Sequence, residues 1–144
     1  MTVMTSPIAS FADRPHHPAV TAGLVTLSWS VAAVLVFAAH LELEPRFAAG
    51  AAAAAIAALV ATAYVYTRLA ARHAGVSHAL GVGIAWLLLS VTTELALTSR
   101  LGHGWSTLLG SPDRPLLRTV FLFAWIFSPA LFARREEDSW NGRR

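Results

Sequence analysis

The chain has no cysteine among its 144 residues. Disulfides, thiolate metal sites and thiol catalysis are therefore excluded. Lysine is also absent, so all 11 basic side chains are arginine. Together with the abundant alanine, that usage points to a GC-rich, bacterial coding sequence; it concerns codon bias, not function. Charge is scarce: 13% of residues are charged and 56% are hydrophobic. That balance is far from that of a soluble domain. No Ser/His/Asp order, phosphate loop or dinucleotide fingerprint is present. Gly81 and Gly83 form a two-glycine fragment inside an apolar run, where helix packing explains them. The formal net charge of +3 reports topology in such a chain and is no nucleic-acid signal.

The apolar surplus is gathered into four runs, about 20–41, 47–69, 76–98 and 116–133. Backbone in hydrocarbon must satisfy its own hydrogen bonds, so each run is expected to be helical. The last is the shortest, about 27 Å of helical rise, against a hydrocarbon thickness of ~30 Å. The expectation is an all-α membrane protein with four transmembrane helices in an antiparallel up-down-up-down bundle. Its domain covers 18–135. Residues 1–17 carry Pro7, Asp13, Arg14 and Pro15 ahead of any hydrophobic run. They read as a disordered cytoplasmic tail, and the first span reads as an uncleaved anchor. Residues 136–144 read as a second cytoplasmic tail.

Arginine sets the orientation. Arg14, Arg68, Arg72, Arg134, Arg135, Arg143 and Arg144 share one side; Arg46, Arg100, Arg114 and Arg118 share the other. The excess favours both termini in the cytoplasm of a bacterial inner membrane. The connections 42–46 and 70–75 are short and predict that helices one and two, and two and three, are antiparallel neighbours. The run Arg134, Arg135, Glu136, Glu137, Asp138 is mixed in sign and suits the end of the last helix.

The outer connection 99–114 is longer. Gly102, Gly104 and Gly110 surround Trp105, Leu108 and Leu109, a pattern that predicts a short interfacial turn on the bilayer. A substrate-gating loop is the sharper alternative. On the second run, Gly50, Ala54 and Ala58 recur every fourth residue, a spacing that lets helix backbones approach closely. It reads as packing within the monomer, with a homodimer or membrane-partner contact as the alternative. Tyr64 and Tyr66 read as interface anchors.

Glu94 is the one charged residue in the apolar stretch 80–97. A charge at the centre of a membrane helix costs about 2.5–3.5 kcal/mol on insertion scales. It therefore needs a partner, a cavity or a proton. Trp86, Ser90 and Glu94 lie on one helical stripe. Arg118, Phe121, Trp125 and Ser128 form a second stripe, and Trp29, Ala33, Val36 and His40 a third. Each stripe has a tryptophan near mid-depth and an ionisable group toward the outer face. Glu94 lies about 12 Å from Trp86, Arg118 about 10 Å from Trp125 and His40 about 16 Å from Trp29, by helical rise. If the stripes face one another, Glu94, Arg118 and His40 converge. Each indole N–H needs an acceptor, and Ser30, Ser90 and Ser128 are near enough in sequence to serve. Pro129 cannot donate to the Trp125 carbonyl, which predicts a kink.

The plainer account of the cluster is a structural Glu94–Arg118 ion pair. The sharper account is a protonatable Glu94 gated by Arg118 and relayed through His40. His16 and His17 read as solvated tail residues, and His73 and His78 share no helix face. Haem ligation by His40 and His103, or zinc held by His40, His103 and Glu94, has suitable ligand types but no diagnostic spacing. No cofactor or metal is expected. In size and span count the chain resembles the small multidrug resistance transporters. Those carry their essential membrane Glu on the first span, whereas Glu94 lies on the third, so their activity is not carried over. The expected function is an accessory or structural membrane subunit without catalytic chemistry, in contact with the lipid bilayer. The alternative is a proton-coupled small-molecule transporter or channel using Glu94. An interfacial enzyme acting on lipid is the third reading.

Overall fold

The computed structural model describes residues 18–44, 46–102, 108–110 and 113–133. The proposed tails, His16, His17, His103, Trp105 and the arginine-led run after Ala133 lie outside them. The described chain is helical: α1 (Pro18–Leu43), α2 (Ala48–Leu69), α3 (Val76–Leu101) and α4 (Pro115–Phe127), then a 3₁₀ turn at Ala130–Phe132. Pro18 and Pro115 open their helices, where a missing N–H costs nothing. Gly102 closes α3 with φ of 86°, its N–H donating to the Thr98 carbonyl. Only glycine adopts that backbone readily.

Three of these helices, α1, α2 and α3, are long and apolar enough to cross a membrane. Their outward residues are large and apolar, including Leu27, Val34, Leu88 and Leu95. In water they would form an apolar surface far larger than a soluble monomer tolerates.

The fourth expected span departs from the sequence reading. Residues 116–133 do not form one helix. α4 stops at Phe127, 13 residues and about 20 Å long. Ser128 and Pro129 keep helical backbone angles while the hydrogen-bond ladder breaks, and the 3₁₀ turn follows. Pro129 is the physical reason. It has no N–H to give Trp125, and its ring crowds that carbonyl.

Neighbour relations also differ from the expected sequence order. Close backbone contacts join α1 with α2, α3 with α4, α1 with α3 and α2 with α4. Among the described residues, α2 and α3 have no such contact despite their short connection. The rings of Tyr66 and Trp86, with centroids 6.1 Å apart, stand between them. One turn before Trp86, Gly83 lets α3 lie directly against the Ile126 backbone. α3 thus approaches α4 closely and meets α2 only through large side chains.

The inward face of α2 runs through Ala52, Ala55, Leu59, Thr62 and Tyr66, in steps of three and four. Gly50, Ala54 and Ala58 sit beside that line and are half-buried. The core continues through Ala32 and Val36 of α1, Val82 and Trp86 of α3, and Phe121 and Trp125 of α4.

Candidate functional site

Glu94 is buried, 8% exposed, on the inward face of α3. Its partner is the main chain. The Leu109 N–H donates to Glu94 Oε2 at 3.0 Å. One residue earlier, the Leu108 carbonyl accepts from Trp125 Nε1 at 2.9 Å. Leu108, Leu109 and Gly110 are all buried. Residues 108–110, between α3 and α4, therefore enter the bundle as a strap, fixed at successive residues to α3 and α4. Leu108 and Leu109 are thus buried in the bundle rather than laid on the bilayer, while Trp105, the third residue of the expected interfacial turn, lies outside the described residues. Non-helical backbone at such depth is tolerated only when buried in protein with its polar groups satisfied. Here a carboxylate and an indole supply two of those partners.

Gly110 makes the strap's close approach feasible. Its φ is 83°, and a Cβ there would stand 3.3 Å from the Phe121 ring and 3.5 Å from the Arg118 backbone. Arg118, half-buried one turn into α4, acts on Glu94 through space. Among the described residues no ion pair joins the two. His40 Nδ1 donates to the Val36 carbonyl of its own helix at 2.9 Å. Its ring packs on Phe121 with centroids 5.7 Å apart. Glu94, Arg118 and His40 thus gather at one end of the bundle around the strap and Phe121; among the described residues Glu94 bonds to the strap and His40 to its own helix, and the three are not bonded to one another.

Below the strap lies the tryptophan layer. Trp29 Nε1 donates to Ser90 Oγ at 2.9 Å, and Ser90 Oγ donates to the Trp86 carbonyl at 2.9 Å. Trp86 Nε1 donates to the Val25 carbonyl at 3.1 Å. Trp86 and Trp125 meet edge to face, 6.2 Å apart at 82°. Each indole N–H has an acceptor, but only one acceptor is a serine. Ser30 binds the Thr26 carbonyl, and the Ser128 hydroxyl is buried with no partner among the described residues. Trp29 and Ala33 are half-buried; the buried line on α1 runs through Ala32, Val36 and His40.

Tyr66 is a correction. It is buried rather than interfacial, its hydroxyl 3.3 Å from His78 Nε2. Tyr64 is exposed, with Arg68 over its ring. Sequence patterning missed the strap because its hydrogen-bonding groups are main-chain atoms, which no residue type marks. The only signal was Gly110 following two leucines. Among the described residues, no group of three His, Asp or Glu side chains comes together.

The chain matches no protein-family model, no curated protein and no solved structure.

Proposed function

We propose that this chain is a small integral protein of a bacterial inner membrane and serves as a structural or accessory subunit. In this reading α4 and the 3₁₀ turn complete a fourth crossing, the helices alternate in direction, and both termini are cytoplasmic. The bonds Trp86 to Val25 and Trp29 to Ser90 join residues at the same sequence separation of 61. That register supports α1 and α3 running the same way. Of the Gly50, Ala54 and Ala58 face, the half-buried Ala54 and Ala58 offer close backbone approach to a membrane partner, whereas the Phe47 ring lies over Gly50.

The observation that carries the structural role is the closure of Glu94 on the Leu109 N–H. A carboxylate engaged by its own strap stabilises the fold without any reaction. Purified full-length protein in liposomes under a pH gradient tests this. The expected result is proton flux no higher than in protein-free vesicles, for wild type and Glu94→Gln alike. Flux that disappears in Glu94→Gln would establish the transporter reading instead.

A further inference from the structure

We infer that the pocket between the end of α2 and the 3₁₀ turn binds the phosphodiester headgroup of an anionic glycerophospholipid. This inference rests on the membrane reading above. The pocket has a volume of about 410 Å³ and is lined by Tyr64, Thr67, Arg68, Arg72 and Phe132. That lies within the ~300–1,000 Å³ typical of small-molecule sites. Among the described residues, two guanidinium groups and no carboxylate line it. Arg68 stands in the last turn of α2 and Arg72 in the connection just after it, and both line the same pocket. Arginine presents a planar fork of donors that matches phosphate oxygens.

The floor is aromatic. Tyr64 and Phe132 meet edge to face, 5.3 Å apart at 75°. The Arg68 guanidinium lies 5.3 Å from the Tyr64 ring centroid, a cation–π contact that orients it. The Thr67 hydroxyl is engaged with the Ala63 and Tyr64 carbonyls, which leaves the arginines as the donors. A bare phosphate has no use for the aromatic floor. The glycerol and first acyl carbons of a lipid do, and the end of a membrane helix is where they lie. Basic pockets at this depth suit anionic headgroups. The carbonyl end of α2 opposes an anion, so binding depends on both arginines.

The test uses the full chain in nanodiscs holding equal phosphatidylglycerol and phosphatidylcholine, with retained lipid read by native mass spectrometry. Wild type is expected to retain phosphatidylglycerol preferentially. Arg68→Gln with Arg72→Gln should reduce that preference on the order of 30-fold, and Arg72→Gln alone about fivefold. Both arginines are exposed, and circular dichroism checks that the helices persist. Arg46→Gln with Arg100→Gln removes the same charge elsewhere and should leave the preference intact. An equal loss in that control, or no preference in wild type, would overturn the site. In detergent, phosphatidylglycerol should raise Tm where the same concentration of inorganic phosphate does not; an equal rise with phosphate would overturn the lipid assignment. Release of the protein from membranes by alkaline carbonate would overturn the membrane reading itself. Retention without lipid preference would overturn only the headgroup site.

Discussion

Glu94 accepts a hydrogen bond from the buried Leu109 amide, and that sets what its replacements should do. Glu94→Gln keeps a carbonyl oxygen for the Leu109 N–H, so thermal unfolding in detergent should show a loss under about 1.5 kcal/mol. Glu94→Leu leaves that N–H without an acceptor and should cost about 1–3 kcal/mol. Equal losses for the two would mean that the charge matters rather than the acceptor, and the strap account would fail. The Trp29–Ser90 bond makes a second comparison. Ser90→Ala strands the indole N–H and should destabilise by about 1–3 kcal/mol. Combining it with Trp29→Phe should cost less than the sum of the two single changes. Strict additivity would show that the two side chains are not coupled.

At the scale of elements, the α3–α4 contact depends on one missing side chain. A Cβ at Gly83 would run into the Ile126 carbonyl. That obstacle is backbone and cannot rotate away. Gly83→Ala should therefore separate the helices and cost at least the roughly 1–3 kcal/mol of an overpacked core. Gly81, two residues away, has open space around it, and Gly81→Ala should leave the melting temperature unchanged or raised. If both variants melt alike, the close approach at Gly83 is not a determinant of stability. The strap belongs to this scale too. It holds α3 and α4 at their adjoining ends, while Gly83 holds them further along, so the pair is fixed at two depths.

At the scale of the whole molecule, the open question is whether α4 crosses. Three helices are long and apolar enough; the fourth crossing needs α4 together with the turn and 3₁₀ segment after Pro129. Topology reporters fused to the two ends discriminate. Four crossings place both ends on one side, whereas three place them on opposite sides. The proposed arrangement expects both in the cytoplasm, as the arginine distribution favours. Reporters on opposite faces would make α4 a re-entrant helix and remove the cytoplasmic assignment of the 3₁₀ turn.

Three long helices were legible in the sequence, their ends to within three residues, because apolar length acts locally. The inward stripes of α3 and α4 were legible for the same reason: helical periodicity fixes which residues share a face. Pro129 was visible as a disruption, though not as the end of α4. The partner of Glu94, the burial of Tyr66 and the separation of α2 from α3 were not legible. Those depend on which backbone enters the core and on how large rings divide the space between helices. The amino-acid sequence by itself determined that a carboxylate would be buried in an apolar helix. Only the tertiary structure decided that a main-chain amide, not Arg118, satisfies it, since an N–H is present at every residue but proline and only folding selects one.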